Sequence, residues 1–217
     1  EDRPVERICD RAGRDSKGGN AGGVAMVKVL VVRDSNTKSV SAHVVPRKGV
    51  SEDAYAVDML VADVMWLGYS RVILKSDNEP SIKTLLGVAL RALKVGEVAQ
   101  VMEESPPPYD SQANGGIEIG VKLVRGMVRT LKSCLEERVQ MRIPADHPMI
   151  AWVVQHAALL LTTRVRGHDG KTAWERVRGK PFGTRLMGIG EHCRWKLRSK
   201  EPIEHGRGHR FHTGTFV

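Results

Sequence analysis

Three acidic residues stand where their side chains could share a metal ion. Asp10 and Asp77 each follow a short apolar segment typical of a β-strand, and Glu118 stands near the start of a long helical pattern. In an open α/β sheet, strand ends and neighbouring helix termini gather at one edge, so these carboxylates can converge. Converging carboxylates repel one another unless a cation is present, and oxygen ligands alone suit Mg²⁺ or Mn²⁺ rather than zinc. Two such ions about 3.5–4 Å apart would stabilise the attacking and leaving oxygens of phosphoryl transfer.

The same helical pattern carries a line of cations. Apolar residues at a 4-3-4-3-4 spacing mark one buried face: Ile117, Val121, Val124, Val128, Leu131 and Leu135. One residue later at each step, about 100° around the helix, the chain has Glu118, Lys122, Arg125, Arg129 and Lys132. We call the four basic residues the cation stripe. One acid followed by four bases fits a phosphate backbone, because solvated helix faces usually mix both signs. An ordinary solvated face remains the alternative.

The charge balance points to a polyanionic partner. The 217 residues include 34 Lys and Arg against 25 Asp and Glu, a net charge of +9. Residues 164–217 hold 13 basic and 5 acidic residues, so nearly all the excess lies there. Nucleic acid is favoured over membrane, since the tail is rich in Gly and His and shows no amphipathic helix with a bulky apolar face, and a merely soluble basic tail is the alternative. No run of eighteen apolar residues exists, so no transmembrane helix is expected. Three distant cysteines indicate a reducing compartment, and we expect a nuclear or cytoplasmic, unsecreted protein.

The elements that position these residues follow from periodicity. Segments 5–9, 24–32 and 40–44 predict a β-meander, in which a Gly-rich loop follows the first strand. Ser51 is expected to cap a helix that Gly68 ends, before a central strand at 72–74. Pro80 suits the first turn of the next helix, and a weaker strand follows at 98–102. The predicted buried face of that helix is Ile82, Leu85, Leu86, Ala89 and Leu93.

The second half of the chain is predicted to be mainly helical. Helices are expected at 116–139 and 148–164, and Thr172 begins a capping-box pattern for a short helix at about 173–178. This element order predicts an α/β fold with a mixed sheet and helices on both faces. We expect residues 1–165 to form the core domain and residues 166–217 a basic extension that leaves the core by about residue 182. Cys134 is expected to be a buried structural thiol, and Trp152 and Trp174 are expected to be core and anchor residues rather than base-stacking platforms.

Four segments carry a family resemblance, and it covers about residues 5–180. PYDSQANGGIE, at 108–118, resembles a loop before a catalytic Glu, and VILKSDNEP resembles a strand that ends at a catalytic Asp. VVRDSNTKSVSAHVVPRKG resembles the second and third strands, and HDGKTAWERVRGKP resembles the stretch that follows the core. Together they resemble the catalytic core of retroviral and Copia-type retrotransposon integrases, RNase H-like proteins with a DDE active site.

The resemblance implies a role for particular residues. It implies an RNase H-like five-stranded sheet in which Asp10, Asp77 and Glu118 are the catalytic acids and metal ligands. Tyr109, Gln112 and Asn114 match the loop beside the DNA end, and Lys122 and Arg125 match helix positions that touch that end. The chain departs from the family in its long loop after Asp10, its 40 residues between Asp77 and Glu118, and its lack of a His/Cys zinc module. Asp34, at the turn after the second strand, is the rival first acid.

The implied activity is DNA integration. The family's mechanism trims the element's 3′ ends, as an endonuclease does, and then transfers them to target DNA with Mg²⁺ or Mn²⁺. The resemblance therefore implies a polynucleotidyl transferase cut from a Pol-type polyprotein, with element ends and target DNA as partners and a homo-oligomer as its form. The alternatives are an RNase H-type nuclease and a catalytically decayed fragment that binds nucleic acid.

Overall fold

The computed structural model describes residues 3–9, 27–76, 79–95, 98–104, 115–196 and 211–215. Side chains are described for 27–76, 79–95, 98–104 and 115–194. Within these ranges no helix is long and apolar enough to cross a bilayer.

The larger sheet is mixed. Its strands are β1 (Arg3–Cys9), β2 (Lys28–Asp34), β3 (Val40–Val45), β4 (Arg71–Lys75) and β5 (Gln100–Glu104). Their spatial order is β3-β2-β1-β4-β5. The three strands β1, β4 and β5 run parallel, whereas β2 is antiparallel to both β1 and β3. The carboxyl ends of β1 and β4 therefore lie at the same edge of the sheet.

Helices cover both faces of this sheet, as the sequence predicted. They are α1 (Tyr55–Leu67), α2 (Pro80–Val95), α3 (Gly115–Val139), α4 (Met149–Arg164) and α5 (Ala173–Arg178). Alternate residues of β2 face the two layers. Leu30 and Val32 pack with α1 and α2, while Val31 packs with α3 and α4. The mixed α/β class is thus confirmed.

Helix α4 closes the exposed edge of the sheet at β3. The Thr162 hydroxyl accepts a hydrogen bond from the Val40 amide and donates one to the Val40 carbonyl, both at 2.9 Å. An edge strand leaves such backbone groups without strand partners, so this buried hydroxyl satisfies groups that would otherwise be desolvated and unpaired.

One predicted helix start is wrong. Helix α1 begins at Tyr55, because Ala54 adopts a left-handed backbone conformation (φ 52°) and residues 51–53 form a turn. The Ser51 hydroxyl donates to the Asp53 carboxylate rather than capping the helix. The end of α1 at Gly68 is confirmed, as are the five buried residues of α2.

The chain beyond residue 165 packs on the core up to residue 190. Val177 contacts the layer of α1 and α2, and Ile189, only 4% exposed, belongs to the layer of α3 and α4. The Arg138 guanidinium donates to the Ile189 carbonyl at 2.7 Å. The expectation that the chain leaves the core by residue 182 is therefore wrong for Ile189, whereas the domain division at residue 165 stays a prediction. The strands β6 (His192–Lys196) and β7 (Phe211–Thr215) form a separate antiparallel pair.

Candidate active site

Two parallel strands, β1 and β4, run towards the edge of the sheet at which the sequence predicts two of the acids. In register, Glu6 of β1 is the neighbour of Lys75, the last residue of β4, so β1 continues three residues past the end of β4 at the same edge of the sheet. Asp10 follows β1 directly, and Asp77 is the second residue after β4. Asp10 and Asp77 lie outside the described residues, as do Tyr109, Gln112 and Asn114. The shared edge is therefore a finding, and the assignment of these five residues stays a prediction.

Asp34 lies at a different place on the sheet. It is opposite Val5, whereas Cys9, at the other end of β1, is opposite Leu30. Four residues of strand span about 13 Å, so Asp34 is well removed from the end of β1. The hydroxyl of Tyr69, two residues before β4 begins, donates to the Asp34 carboxylate at 2.8 Å.

The surroundings of Asp34 explain its role. The residue is 1% exposed, and its carboxylate also accepts hydrogen bonds from the backbone amides of Asn36 (3.2 Å) and Thr37 (2.9 Å) and from the Thr37 hydroxyl (2.5 Å). These bonds hold the tight turn between β2 and β3. The occupied oxygens favour a structural role for Asp34 over that of the rival first acid.

Glu118 lies in the first turn of α3, and its side chain is exposed. The positive end of the helix dipole favours a carboxylate there. The guanidinium of Arg33, the second-last residue of β2, donates to the Gly116 carbonyl and connects this turn to the sheet. Gly120 permits the close approach, since a Cβ at that position would stand 2.8 Å from Arg33 Cδ. Arg33 thus positions the start of α3.

Sequence reasoning missed Arg33. Arg33 is buried beneath α3, and the residue is 9% exposed. The available signal was a cation that interrupts the apolar run of β2, in the order Val31-Val32-Arg33-Asp34. A charged residue inside a buried strand needs partners, and here α3 supplies the Gly116 carbonyl.

Three of the four residues of the cation stripe are exposed, and its contact with DNA stays a prediction. Lys122, Arg125 and Arg129 are exposed along α3. Among the described side chains, neither Lys122 nor Arg129 has an ion pair. Lys132 differs, because its ammonium group lies 2.7 Å from the Glu136 carboxylate. The hydrogen bond from Lys132, together with the bond from the Ile143 amide, lowers the pKa of Glu136 below its ordinary value.

A second, apolar groove lies away from Glu118. It has a volume of about 670 Å³ and is lined by β3, α1, α4 and α5. Trp152 on its rim is 61% exposed, so its predicted burial is wrong, whereas Trp174 packs edge-on against Phe182 at 4.8 Å, as an anchor residue should. In this groove the His43 Nε2 atom lies 2.9 Å from an oxygen of the Asp63 carboxylate. His156 also lines the groove, and burial lowers its pKa below the ordinary value for histidine. This groove contains none of the predicted site residues that the structure describes.

Cys134 is exposed, which contradicts its predicted burial. The next residue, Leu135, is fully buried against the layer that contains Ile143 and Ile189. One helical step rotates a side chain by about 100°, which is enough to carry Cys134 out of that contact. Among the described residues, no group of three His, Cys, Asp or Glu side chains could hold a metal ion.

The fold resembles that of solved integrases. No family model and no curated protein matches the sequence. The catalytic core domain of BIV integrase matches at a TM-score of 0.51 and 15% identity, over 80% of this chain and 92% of that one. A chain of the simian T-cell lymphotropic virus intasome, solved in complex with PP2A regulatory subunit B56 gamma, matches at a TM-score of 0.58 and 15% identity. That alignment covers 99% of this chain and 67% of the other. The chain therefore has the fold of a retroviral integrase catalytic core.

Proposed function

We propose that this chain is the catalytic core of a DNA integrase, a polynucleotidyl transferase of a retroelement. The observation that carries the proposal is the shared edge at which parallel β1 and β4 end. The two strands are followed by Asp10 and Asp77, and the integrase-like fold adds the exposed Glu118 at the start of α3. Three carboxylates supplied by two strand ends and one helix start are a donor set that suits hard divalent cations.

In this proposal Asp10, Asp77 and Glu118 hold Mg²⁺ or Mn²⁺. The metal would supply charge stabilisation to the oxygens of the phosphate under attack. The residues of the chain position the substrate, so no Ser or Cys nucleophile is required. Lys122, Arg125 and Arg129 would contact phosphates of the element's DNA end, and Lys132 would extend this track once its pair with Glu136 opens.

The partners proposed are the element's DNA ends and the target DNA. One of the similar structures is an intasome, which supports a homo-oligomer as the working form. We propose action inside the cell, in the nucleus or cytoplasm, and 3′-end processing before strand transfer. The polyprotein origin belongs to the same proposal.

The test is a strand-transfer assay with the full chain. Labelled DNA ends and target plasmid are incubated with Mg²⁺, and joined product is measured for the wild type, Glu118→Gln and Glu137→Gln. Glu137 is an exposed acid on the last turns of α3, so its variant makes the same charge change without touching the site. Loss of a metal ligand should cost at least the roughly 100-fold that loss of a supporting residue can cost. Equal product from Glu118→Gln and the wild type would contradict the proposal.

The same assay separates the alternatives. Metal-dependent cleavage without joined product in the wild type would identify an RNase H-type nuclease. DNA binding without any metal-dependent turnover would identify a decayed, nucleic-acid-binding fragment.

A further inference from the structure

A second cationic surface lies on another side of α3. It is a cleft of about 340 Å³ between the β2–β3 turn, α3, the end of α4 and the segment 165–176. We call it the basic cleft. Four cations, Arg33, Lys38, Arg166 and Arg176, line it together with one carboxylate, that of Asp169. The cleft therefore has a formal charge of +3 before any contribution from His168, which also lines it.

The single carboxylate is already occupied. The Arg176 guanidinium bonds both oxygens of Asp169, through Nε at 3.0 Å and Nη2 at 2.5 Å. This charge-assisted fork holds the pKa of Asp169 well below its usual range. Arg176 also donates to the Thr37 carbonyl at 2.8 Å, and a Cβ at Gly167 would overlap its guanidinium. The structure thus fixes Arg176 and Asp169 in one geometry. The positive charges at the rim of the cleft come from other residues.

Two cations of the rim remain available to a ligand. Within the part of the chain that the structure describes, the side chain of exposed Lys38 donates only to the Ser35 carbonyl, while exposed Arg166 donates to the Gly170 carbonyl at 2.6 Å. The nearest carboxylate to Arg166 is that of Glu175, at 3.8 Å. Charges of one sign above low-dielectric walls focus the electrostatic potential inside a cleft.

The floor of the cleft is aliphatic. Val40, Leu161 and Ala173 are buried there, and Leu123 of α3 stands at its side, 44% exposed. Apolar walls with a few polar groups at the rim are typical of sites that take a small organic group, and such sites measure roughly 300–1,000 Å³. The volume of the basic cleft admits one nucleotide unit and excludes a double helix.

We propose that the basic cleft binds an unpaired nucleotide of a single-stranded nucleic acid, with its base on the aliphatic floor and its phosphate at Lys38 and Arg166. A base is free to enter such a cleft only when it is not stacked and paired in a duplex. The cleft is distinct from the cation stripe, because Leu123 stands about 100° around α3 from Lys122. It exists whether or not the chain carries out strand transfer.

The test measures binding by the full chain without divalent metal, so that it is independent of catalysis. Fluorescence anisotropy follows a labelled oligothymidylate and its duplex with oligoadenylate over a range of salt concentrations. Lys38→Gln with Arg166→Gln removes the two rim charges. The matched control is Lys83→Gln with Lys94→Gln on α2, two exposed lysines that make the same charge change. Urea unfolding confirms that each variant is folded.

For the single strand, the rim variant should lose affinity on the order of 10-fold, and the slope of log K against log salt should fall by about 1.4, or about 0.7 for each phosphate contact. The duplex should lose less. Leu123→Gln makes the aliphatic side of the cleft polar at unchanged charge, so it should weaken single-strand binding and leave the salt slope intact. A rim variant that matches the control would overturn the proposal. Equal losses for single strand and duplex, or unchanged binding by Leu123→Gln, would also overturn it, since they would indicate only a general cationic surface.

Discussion

The contact between Gly120 and Arg33 makes a sharp prediction, because α3 offers a matched control in Gly126. A Cβ at residue 120 would stand 2.8 Å from Arg33 Cδ, whereas a Cβ at residue 126 would meet nothing within 4 Å. Carbon atoms pack at about 3.5–4.0 Å, so Gly120→Ala must displace α3 or Arg33 by roughly 0.7 Å. Arg33 cannot swing into solvent without losing its bond to the Gly116 carbonyl.

The expected energies follow from two opposing effects. Replacing a helical Gly by Ala gains about 1 kcal/mol, and Gly126→Ala should show this gain in full. Gly120→Ala receives the same gain but adds an overpacking cost of about 1–3 kcal/mol. We therefore expect its free energy of unfolding to lie about 1–3 kcal/mol below that of Gly126→Ala. Urea unfolding followed by tryptophan fluorescence measures this difference.

The same displacement should reach the proposed active site. Glu118 is two residues before Gly120, and catalytic groups must be held within about 0.5 Å of their productive positions. A misplacement of about 1 Å can cost about 100-fold, so strand transfer by Gly120→Ala should fall on the order of 10-fold or more. Gly126→Ala should retain activity. Equal stability and equal activity of the two variants would refute the reasoning that the Arg33 contact positions the start of α3.

Three further predictions concern the cap of α5, a buried histidine and the cation stripe. Thr172→Ala should lower the free energy of unfolding by about 1 kcal/mol in urea titrations, because the Thr172 side chain and Glu175 form a complete capping box. Thr184→Ala, at an exposed position, should change that free energy little. Burial lowers the pKa of His156, so the unfolded state binds more protons than the folded state does. The free energy of unfolding should therefore decline as the pH falls below about 6.5, the ordinary pKa of histidine. His156→Gln should flatten that decline in urea titrations at several pH values, whereas His168→Gln, at an exposed histidine, should leave it unchanged. Lys122→Gln with Arg125→Gln should lower the slope of log K against log salt for duplex DNA by about two units. If that slope matched the slope of the control variant Lys83→Gln with Lys94→Gln, the cation stripe would be an ordinary solvated face.

Local periodicity predicted the elements that lie flat on the sheet. The five buried residues of α2 follow from its spacing, since one face of that helix meets a continuous apolar layer. The capping box at Thr172 follows from four residues in sequence, so it could be recognised without tertiary information. The bounds of α3 and α4 follow in the same way from long amphipathic or apolar patterns.

Tertiary contacts decided what periodicity could not. Ser51 and Glu52 look like a helix start, yet the left-handed conformation of Ala54 delays α1 until Tyr55. The burial of Ile189 depends on Leu135 and Arg138, which are far away in sequence. The local pattern around Ile189 therefore did not indicate that this segment packs on the core. For the candidate site, the sequence indicated Glu118 and the stripe. It placed Asp34 at a turn, but it could not reveal that Thr37 and Tyr69 hydrogen-bond the Asp34 carboxylate or that Arg33 supports the start of α3.

The central claim is that Asp10, Asp77 and Glu118 hold one metal site at the edge where β1 and β4 end. A crystal structure of the full chain soaked with Mn²⁺ tests it most directly, with anomalous diffraction recorded at the X-ray absorption edge of manganese. The account predicts an anomalous peak with carboxylate oxygens of all three residues within about 2.0–2.6 Å, and its loss in Glu118→Gln crystals. A peak ligated by Asp34 in place of Asp10, or no peak at this edge of the sheet under saturating Mn²⁺, would contradict the proposed metal site.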